Sequence, residues 1–201
     1  MFITFEGLDC SGKSTQSELL YKYFLSIGKK AILTKEPGGG GQFSLDIRKL
    51  LSTSDTLLLS ELLAIYAARN EHIQKIILPA LQDNIIVICD RFIDSSIAYY
   101  CYDKNYHTNS PDRKIIEQLQ QIIHEFVPDM TFFINTSIEN IMNRMSIRGK
   151  YDKYDDFNIE TINKLYNVYK YLTNEFSNRI ITIDGNNDVE NVHDAIIKNF
   201  I

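Results

Sequence analysis

The residues best suited to chemistry lie in a loop close to the N-terminus. The loop matches the phosphate-binding pattern G-x-x-x-x-G-K-[ST] and follows an apolar β-type segment, the context that such a loop requires. Glycines let successive backbone N–H groups form one concave nest, the lysine reaches the β- and γ-phosphates of a nucleotide, and the serine hydroxyl binds Mg²⁺. We expect a nucleoside triphosphate to contact Gly7, Leu8, Asp9, Cys10, Ser11, Gly12, Lys13, Ser14 and Thr15.

A second group of chemically capable residues ends the apolar run Ile85–Cys89. Asp90 comes where an aspartate in P-loop proteins holds Mg²⁺ or its waters, so Ser14 and Asp90 are candidate metal ligands. Arg91 follows directly and can clamp a phosphoryl group, with a structural salt bridge as the alternative.

These residues must be positioned by strands and helices that alternate along the chain. The predicted strands are Phe2–Phe5, Ala31–Thr34, Ile85–Asp90, Thr131–Asn135 and Ile180–Asp184. The predicted helices are Lys13–Ile27, Leu57–Gln82, Asp112–Phe126, Ile138–Ile147, Ile159–Phe176 and Val189–Phe200. This order predicts an α/β fold of the P-loop NTPase type, a doubly wound five-stranded parallel sheet flanked by helices, in a single domain over 1–201.

Composition and charge exclude several classes of protein. The 201 residues carry a formal net charge of -5, which argues against a general nucleic-acid binder. Glu6 and Asp9 interrupt the first apolar run, and we expect neither a signal peptide nor a membrane span. Three cysteines suit a reducing compartment, so we expect a cytoplasmic protein with Cys89 in its core.

The segments beyond the P-loop resemble one family in order. They are Thr34-Lys35-Glu36-Pro37-Gly38-Gly39, Ala67-Ala68-Arg69, Asp90-Arg91-Phe92 and Asp94-Ser95-Ser96-Ile97-Ala98-Tyr99. With the P-loop, they resemble the thymidylate kinases of bacterial type, nucleoside monophosphate kinases that make dTDP from dTMP. The resemblance implies ATP as phosphate donor, Mg²⁺ as cofactor, nucleotides as the small-molecule partners and a homodimer.

The resemblance also implies roles around the reacting phosphates. Lys13 and Arg91 would act in transfer, Arg48 and Arg91 would hold the phosphate of dTMP, and Asp9 would face the acceptor and help to organise Mg²⁺. Arg144 and Arg148 stand four residues apart, so a helix presents both on one face. They resemble the catalytic arginines of a lid over about 143–156, with a solvated basic helix end as the alternative.

Further roles implied by the resemblance concern the nucleoside. Glu36 would shape the acceptor pocket, Arg69 would hydrogen-bond the thymine, and Ser96 and Tyr99 would lie beside the base and the deoxyribose. Glu160 is a further candidate metal ligand, although an acidic residue in the first turn of a helix explains it equally well.

The chain departs from the family pattern at the base pocket and in the P-loop. Ile65 stands where the family usually has a phenylalanine that stacks on thymine, a loss worth about 1 kcal/mol or more, and Tyr100 is a candidate to restore the aromatic contact. Cys10 replaces the P-loop arginine of one subclass, so an arginine of the lid would take its place.

Two other functions remain open from the residues alone. One is a related nucleoside or nucleotide kinase with a different acceptor. The Arg48 and Arg91 pair favours an acceptor that already carries phosphate. The other is a non-catalytic P-loop switch. A guanine-specific switch needs an N-K-x-D segment, which the sequence lacks.

Overall fold

The computed structural model describes residues 1–107, 110–123, 126–149 and 158–201. Its sheet is five-stranded, in the order β2-β3-β1-β4-β5, and every neighbouring pair is parallel. The strands are β1 (Phe2–Glu6), β2 (Ala31–Lys35), β3 (Ile86–Asp90), β4 (Met130–Asn135) and β5 (Ile180–Asp184). The predicted α/β fold is confirmed, and each predicted strand is correct to within one residue at either end.

Helices pack on both faces of this sheet. They are α1 (Lys13–Ser26), α2 (Gln42–Thr53), α3 (Leu58–His72), α4 (Leu78–Gln82), α5 (Ile93–Cys101), α6 (Pro111–Ile122), α7 (Ile138–Arg148), α8 (Ile159–Glu175) and α9 (Val189–Ile197). The helix predicted over Leu57–Gln82 is α3 and α4 joined by a π-helical turn, Ile73–Ile77. Helices α2 and α5 were not predicted, and α6 and α9 end before their predicted C-terminal residues.

Two hydrophobic clusters hold the helices against the sheet. On one face, Phe5 and Phe132 pack with Leu20 of α1 and Ile196 of α9. The other face carries a larger cluster from α3, α5, α6 and α8, and the thiol of Cys89 is buried in it, as predicted. Burial on both faces explains why β1, β3 and β4 are nearly continuous apolar runs.

The parallel register brings the predicted site residues to one edge of the sheet. Phe5 pairs with Asp90 and Lys35 pairs with Asp90 from the other side, so β1, β2 and β3 end at the same level. The P-loop, Glu36 and Arg91 follow these three ends. Open α/β sheets bind their ligands at this edge. Among the described residues, no helix has the length and apolar character to cross a bilayer.

Candidate active site

The P-loop forms a backbone nest directly after β1. Gly7 has φ +139°, and a Cβ there would lie 2.9 Å from the carbonyl oxygen of Ile134, so only glycine fits. The Lys13 ammonium group is buried and donates a hydrogen bond of 2.6 Å to the carbonyl oxygen of Leu8. Burial, with the nearby charge of Arg91, lowers the pKa of Lys13 to about 8. A bound polyphosphate would favour the charged form and offer this ammonium group a stronger partner.

Ser14 and Asp90 meet at the start of α1. The hydroxyl of Ser14 donates to Oδ2 of Asp90, whereas Oδ1 of Asp90 is buried with no hydrogen-bond partner among the described residues. Burying a carboxylate oxygen without a hydrogen-bond partner costs free energy, and a cation or a water bound to it would supply that partner. Mg²⁺ commonly keeps several waters and uses only one or two carboxylates. The residues present therefore fit Mg²⁺, although no group of three or more His, Cys, Asp or Glu that could by itself hold a metal ion occurs in the described part of the chain.

A cavity of about 870 Å³ opens in front of the P-loop. Its lining includes the P-loop from Asp9 to Thr15, and Asn187 and Asp188 ahead of α9. Arg144 extends from α7 to the P-loop and donates to the carbonyl oxygens of Ser11, at 3.1 Å, and Gly185, at 3.0 Å. Arg148 lines the same cavity, and the predicted lid residues 150–156 lie outside the described residues.

Arg91 stands at the centre of a dense hydrogen-bond network. The backbone of Arg91 has φ +70°, a left-handed conformation that costs free energy in a non-glycine residue. Nη2 donates to Oδ1 of Asp9 at 2.5 Å and to the hydroxyl of Tyr99 at 3.3 Å, and Nη1 donates to Ser95 and Tyr169. Burial alone would raise the pKa of Asp9, but Arg91 and Lys13 outweigh it and hold that pKa well below its usual range.

A second cavity, of about 460 Å³, adjoins the first. Asp9, Glu36, Arg48 and Arg91 line both cavities, so the two spaces meet at these four side chains. The remaining predicted acceptor residues also line the second cavity, namely Ile65, Arg69, Ser96, Tyr99 and Tyr100. The structure therefore brings the predicted acceptor residues together in one space next to the P-loop.

Arg69 is fixed at the floor of the second cavity by a buried ion pair. Its Nε donates to Oε2 of Glu36 at 2.7 Å, and its Nη2 donates to the hydroxyl of Ser96 at 2.8 Å. Oε1 of Glu36 lies 3.0 Å from Nδ1 of His72, whose Nε2 lies 2.7 Å from the hydroxyl of Thr34. Nη1 of Arg69 is buried without a partner among the described residues, which suits a donor waiting for a ligand oxygen. His72 is thus a buried hydrogen-bonding residue.

The second cavity is lined by aromatic rings even though residue 65 is an isoleucine. Ile65 lines it without a ring, while Phe92 lines it with one and has the Arg69 guanidinium 4.9 Å from its centroid. Tyr66 stacks against the same guanidinium at 4.7 Å and is buried. Tyr100 lines the cavity, as its place in the motif suggested.

Among the predicted site residues, Gly7, Leu8 and Glu160 line neither cavity, and the structure leaves Glu160 apart from the whole arrangement. Its side chain is 73% exposed in the first turn of α8, pairs with Lys164 at 3.0 Å, and lines neither cavity. Its proposed metal contact stays a prediction.

Three residues of the network were missed by the sequence reasoning. Glu6, Ser95 and Tyr169 all lie in or behind the Arg91 cluster. The charged residue Glu6 inside an apolar strand was the available signal, because a carboxylate is rarely buried without a specific partner.

Comparisons with known proteins agree with this geometry. The family model described as thymidylate kinase matches residues 5–196. The chain is 39% identical over 199 residues to the thymidylate kinase of Rickettsia canadensis (strain McKiel), covering 98% of this chain and 95% of that protein. It is 39% identical over 202 residues to that of Wolbachia pipientis wMel, covering 98% of each. The crystal structure of thymidylate kinase from Ehrlichia chaffeensis superposes with a TM-score of 0.78 at 35% identity, covering 100% of this chain and 97% of that one.

Proposed function

The chain belongs to the thymidylate kinase family and transfers the γ-phosphoryl group of ATP to dTMP, and we propose how its residues divide this work. The observation that carries the proposal is the shared wall of the two cavities, formed by Asp9, Glu36, Arg48 and Arg91. A nucleotide switch needs one nucleotide cavity, whereas a phosphotransferase needs two that meet at the reacting phosphates. Phosphoryl transfer depends mainly on positioning and charge stabilisation, for which this wall supplies two arginines.

The larger cavity is the proposed ATP site. The P-loop amides and Lys13 would hold the β- and γ-phosphates, and Lys13 would leave the Leu8 carbonyl to do so. Arg144 and Arg148 would contribute positive charge from α7, in the place of the arginine that the P-loop lacks at Cys10. Arg144 already contacts the loop backbone, which supports its assignment to the catalytic cluster.

Mg²⁺ is the proposed cofactor, held by Ser14 and Asp90 with Asp9 ordering its bound waters. The unpartnered Oδ1 of Asp90 supports this placement. When bound, the ion would neutralise charge on the β- and γ-phosphates.

The smaller cavity is the proposed dTMP site. Arg91 and Arg48 would hold the acceptor phosphate, because both line the wall that faces the P-loop cavity. Arg69 would donate Nη1 to a carbonyl oxygen of thymine, with Ser96 beside it, and Tyr99 would lie against the deoxyribose. Glu36 would keep the Arg69 fork oriented.

We also propose that the single domain forms a homodimer through one exposed apolar surface of α2 and α3. Phe43, Leu50, Leu59 and Leu63 are large apolar side chains exposed on these two contacting helices. Phe43 and Leu50 are seven residues apart, and Leu59 and Leu63 are four apart, so each pair shares a helix face. Sedimentation of Leu63→Glu against the native chain tests this, since a dimer of unchanged strength would exclude the surface.

The free cysteines favour a cytoplasmic location.

A coupled ADP-release assay with ATP and a panel of monophosphates tests the acceptor. We expect dTMP to give the highest kcat/KM among dTMP, dUMP, dCMP, dGMP and AMP. Equal turnover across the panel would remove the dTMP assignment, and ATP hydrolysis indifferent to any acceptor would favour the switch. Arg91→Ala should lower kcat by about 10³-fold, the scale of a transition-state arginine.

A further inference from the structure

Glu6 is a buried carboxylate to which the proposed mechanism gives no task. It is the last residue of β1, only 1% exposed, and lines neither cavity. A buried charge is costly unless its oxygens are well bonded, so its partners indicate why it is there.

The two carboxylate oxygens of Glu6 have different partners. Oε1 accepts the backbone N–H groups of Phe92, at 2.7 Å, and Ser95, at 3.1 Å, and so caps the N-terminus of α5. Oε2 accepts the hydroxyls of Ser95, at 2.6 Å, and Tyr169, at 3.1 Å. Capping therefore uses one oxygen, and the second oxygen serves two hydroxyls.

Those two hydroxyls are also acceptors for Arg91. Its Nη1 donates to the hydroxyl of Ser95 at 3.0 Å and to that of Tyr169 at 3.4 Å. A guanidinium only donates and a carboxylate only accepts. With Glu6 ionised, both hydroxyl protons point at Oε2 and both oxygens offer lone pairs to Arg91. With Glu6 protonated, it must donate to one hydroxyl, whose own proton then turns to the other hydroxyl, since Ser95 Oγ and Tyr169 Oη lie 3.0 Å apart. These new bonds use oxygen lone pairs that the ionised form leaves to Arg91.

We propose that Glu6 is a positioning residue for Arg91, and that its ionised form holds the guanidinium through Ser95 and Tyr169 in the orientation that transfer requires. The inference rests on the proposed role of Arg91 at the acceptor phosphate. It adds a link from β1 and α8 to that arginine, since Tyr169 lies in α8 and Ser95 in α5.

The surroundings of Glu6 make its ionisation sensitive to pH near neutrality. Burial raises the pKa of Glu6 to about 7, the charge of Asp94 acts in the same direction, and Arg91, Ser95 and the Phe92 amide oppose it. The titratable and charged groups around it lie on α1, α3, β3, α5, α8 and the segments after β3 and before β5. They are Lys13, Arg69, Cys89, Arg91, Asp94, Tyr99, Tyr169 and Arg179.

Glu6→Gln isolates the positioning role, because Gln keeps one oxygen for the α5 cap and replaces Oε2 by a donor. We expect kcat to fall about tenfold at pH 8, on the scale of a small misplacement of a catalytic group, with the KM for ATP unchanged. At pH 5.5 Glu6 of the native chain is protonated, so the ratio of the two kcat values should approach one. The ionisation of dTMP is common to both proteins and cancels in that ratio.

Tyr169→Phe provides a second test that does not depend on the cap. It removes one hydroxyl and keeps the ring stacked on Phe133 at 5.3 Å. We expect kcat to fall severalfold, while the matched control Tyr166→Phe on the same helix changes nothing. A kcat ratio for Glu6→Gln that is constant with pH, or a Tyr169→Phe variant equal to its control, would overturn the inference.

Arg91→Ala separates this inference from the one beneath it. If Arg91→Ala retains full kcat, the proposed role of Arg91 fails and Glu6 has nothing to position. If Arg91→Ala is inactive while Glu6→Gln and Tyr169→Phe are fully active at pH 8, only the positioning role is wrong.

Discussion

Replacing Arg69 by methionine tests the acceptor pocket most directly. The substitution keeps an unbranched apolar stem and deletes the guanidinium. Arg69 and Glu36 form a buried pair at 2.7 Å, with side chains 1% and 5% exposed. Without Arg69, the Glu36 carboxylate keeps only His72 as a side-chain partner among the described residues.

The structure sets the expected size of two separate effects. Breaking a buried ion pair from one side costs about 3–5 kcal/mol, because the remaining charge is left without compensation. In a protein of this length that corresponds to a fall in Tm of roughly 6–20 °C. Loss of a hydrogen bond from a charged donor to the base costs about 1.5–3 kcal/mol, or roughly a 10- to 150-fold rise in the KM for dTMP.

Urea denaturation and steady-state kinetics measure the two effects on the same protein. The double variant Glu36→Gln, Arg69→Met should recover part of the lost stability, because the orphaned charge is gone, but none of the affinity for dTMP. Arg113→Met is the matched control: Arg113 is 3% exposed and pairs with Glu175 at 3.2 Å, yet lines neither cavity. We expect it to lower stability while the KM for dTMP stays unchanged.

Either of two results would refute this reasoning. A loss of less than about 1 kcal/mol for Arg69→Met would mean that Glu36 is adequately solvated or protonated without its partner. An equal rise in the KM for dTMP in Arg113→Met would mean that stability alone, and no contact with the base, explains the kinetics.

Three further predictions concern other parts of the site. Lys13→Ala should lower kcat by about 10³-fold with the Kd for dTMP unchanged by calorimetry, and near-native turnover would exclude its role in transfer. Tyr100→Ala should raise the KM for dTMP by about tenfold if its ring replaces the stacking absent at Ile65, and an unchanged KM would dismiss that idea. Because the pKa of Glu6 rises from 4.5 to about 7 on folding, the folded state binds its proton more tightly, and stability from this group falls as pH rises between those values. The free energy of unfolding of Glu6→Gln, relative to that of the native chain, should therefore rise by up to about 3 kcal/mol from pH 5 to pH 8. Denaturation at both pH values measures this difference, and a difference constant with pH would contradict the linkage.

The sheet and its ligand edge were predictable because both depend on local signals. Strands buried on both faces are mostly apolar, so β1 and β3 are recognisable without knowledge of their neighbours. The P-loop is likewise a contiguous pattern whose every residue type serves a phosphate. Parallel order then forces Asp90 and Glu36 to the edge that carries the P-loop.

The two missed helices failed for different physical reasons. In α2, Phe43, Ile47 and Leu50 recur at helical spacing, but Phe43 and Leu50 face solvent, so an amphipathic pattern exists without the usual buried stripe. In α5, no side chain of its own N-terminal residue forms a capping bond. The cap comes from Glu6, 89 residues before Ser95, so the local sequence lacks the capping residue that marks a helix start and offers Asp94 in the first turn as its signal.

The same separation in sequence limits what motifs reveal about the site. Arg91 was predicted from its place after a buried strand and Arg69 from the resemblance of its segment to a family, but the groups that orient them come from distant segments. Tyr169 lies 163 residues from Glu6, and His72 lies 36 residues from Glu36. Each of these residues bonds to another side chain and not to a substrate. Its residue type therefore gives no functional signal in the sequence, because its partner is far away along the chain. A sequence can therefore name candidate groups for nucleotide contact, whereas the orientation of those groups, on which transfer depends, is specified by contacts that only the folded sheet brings together.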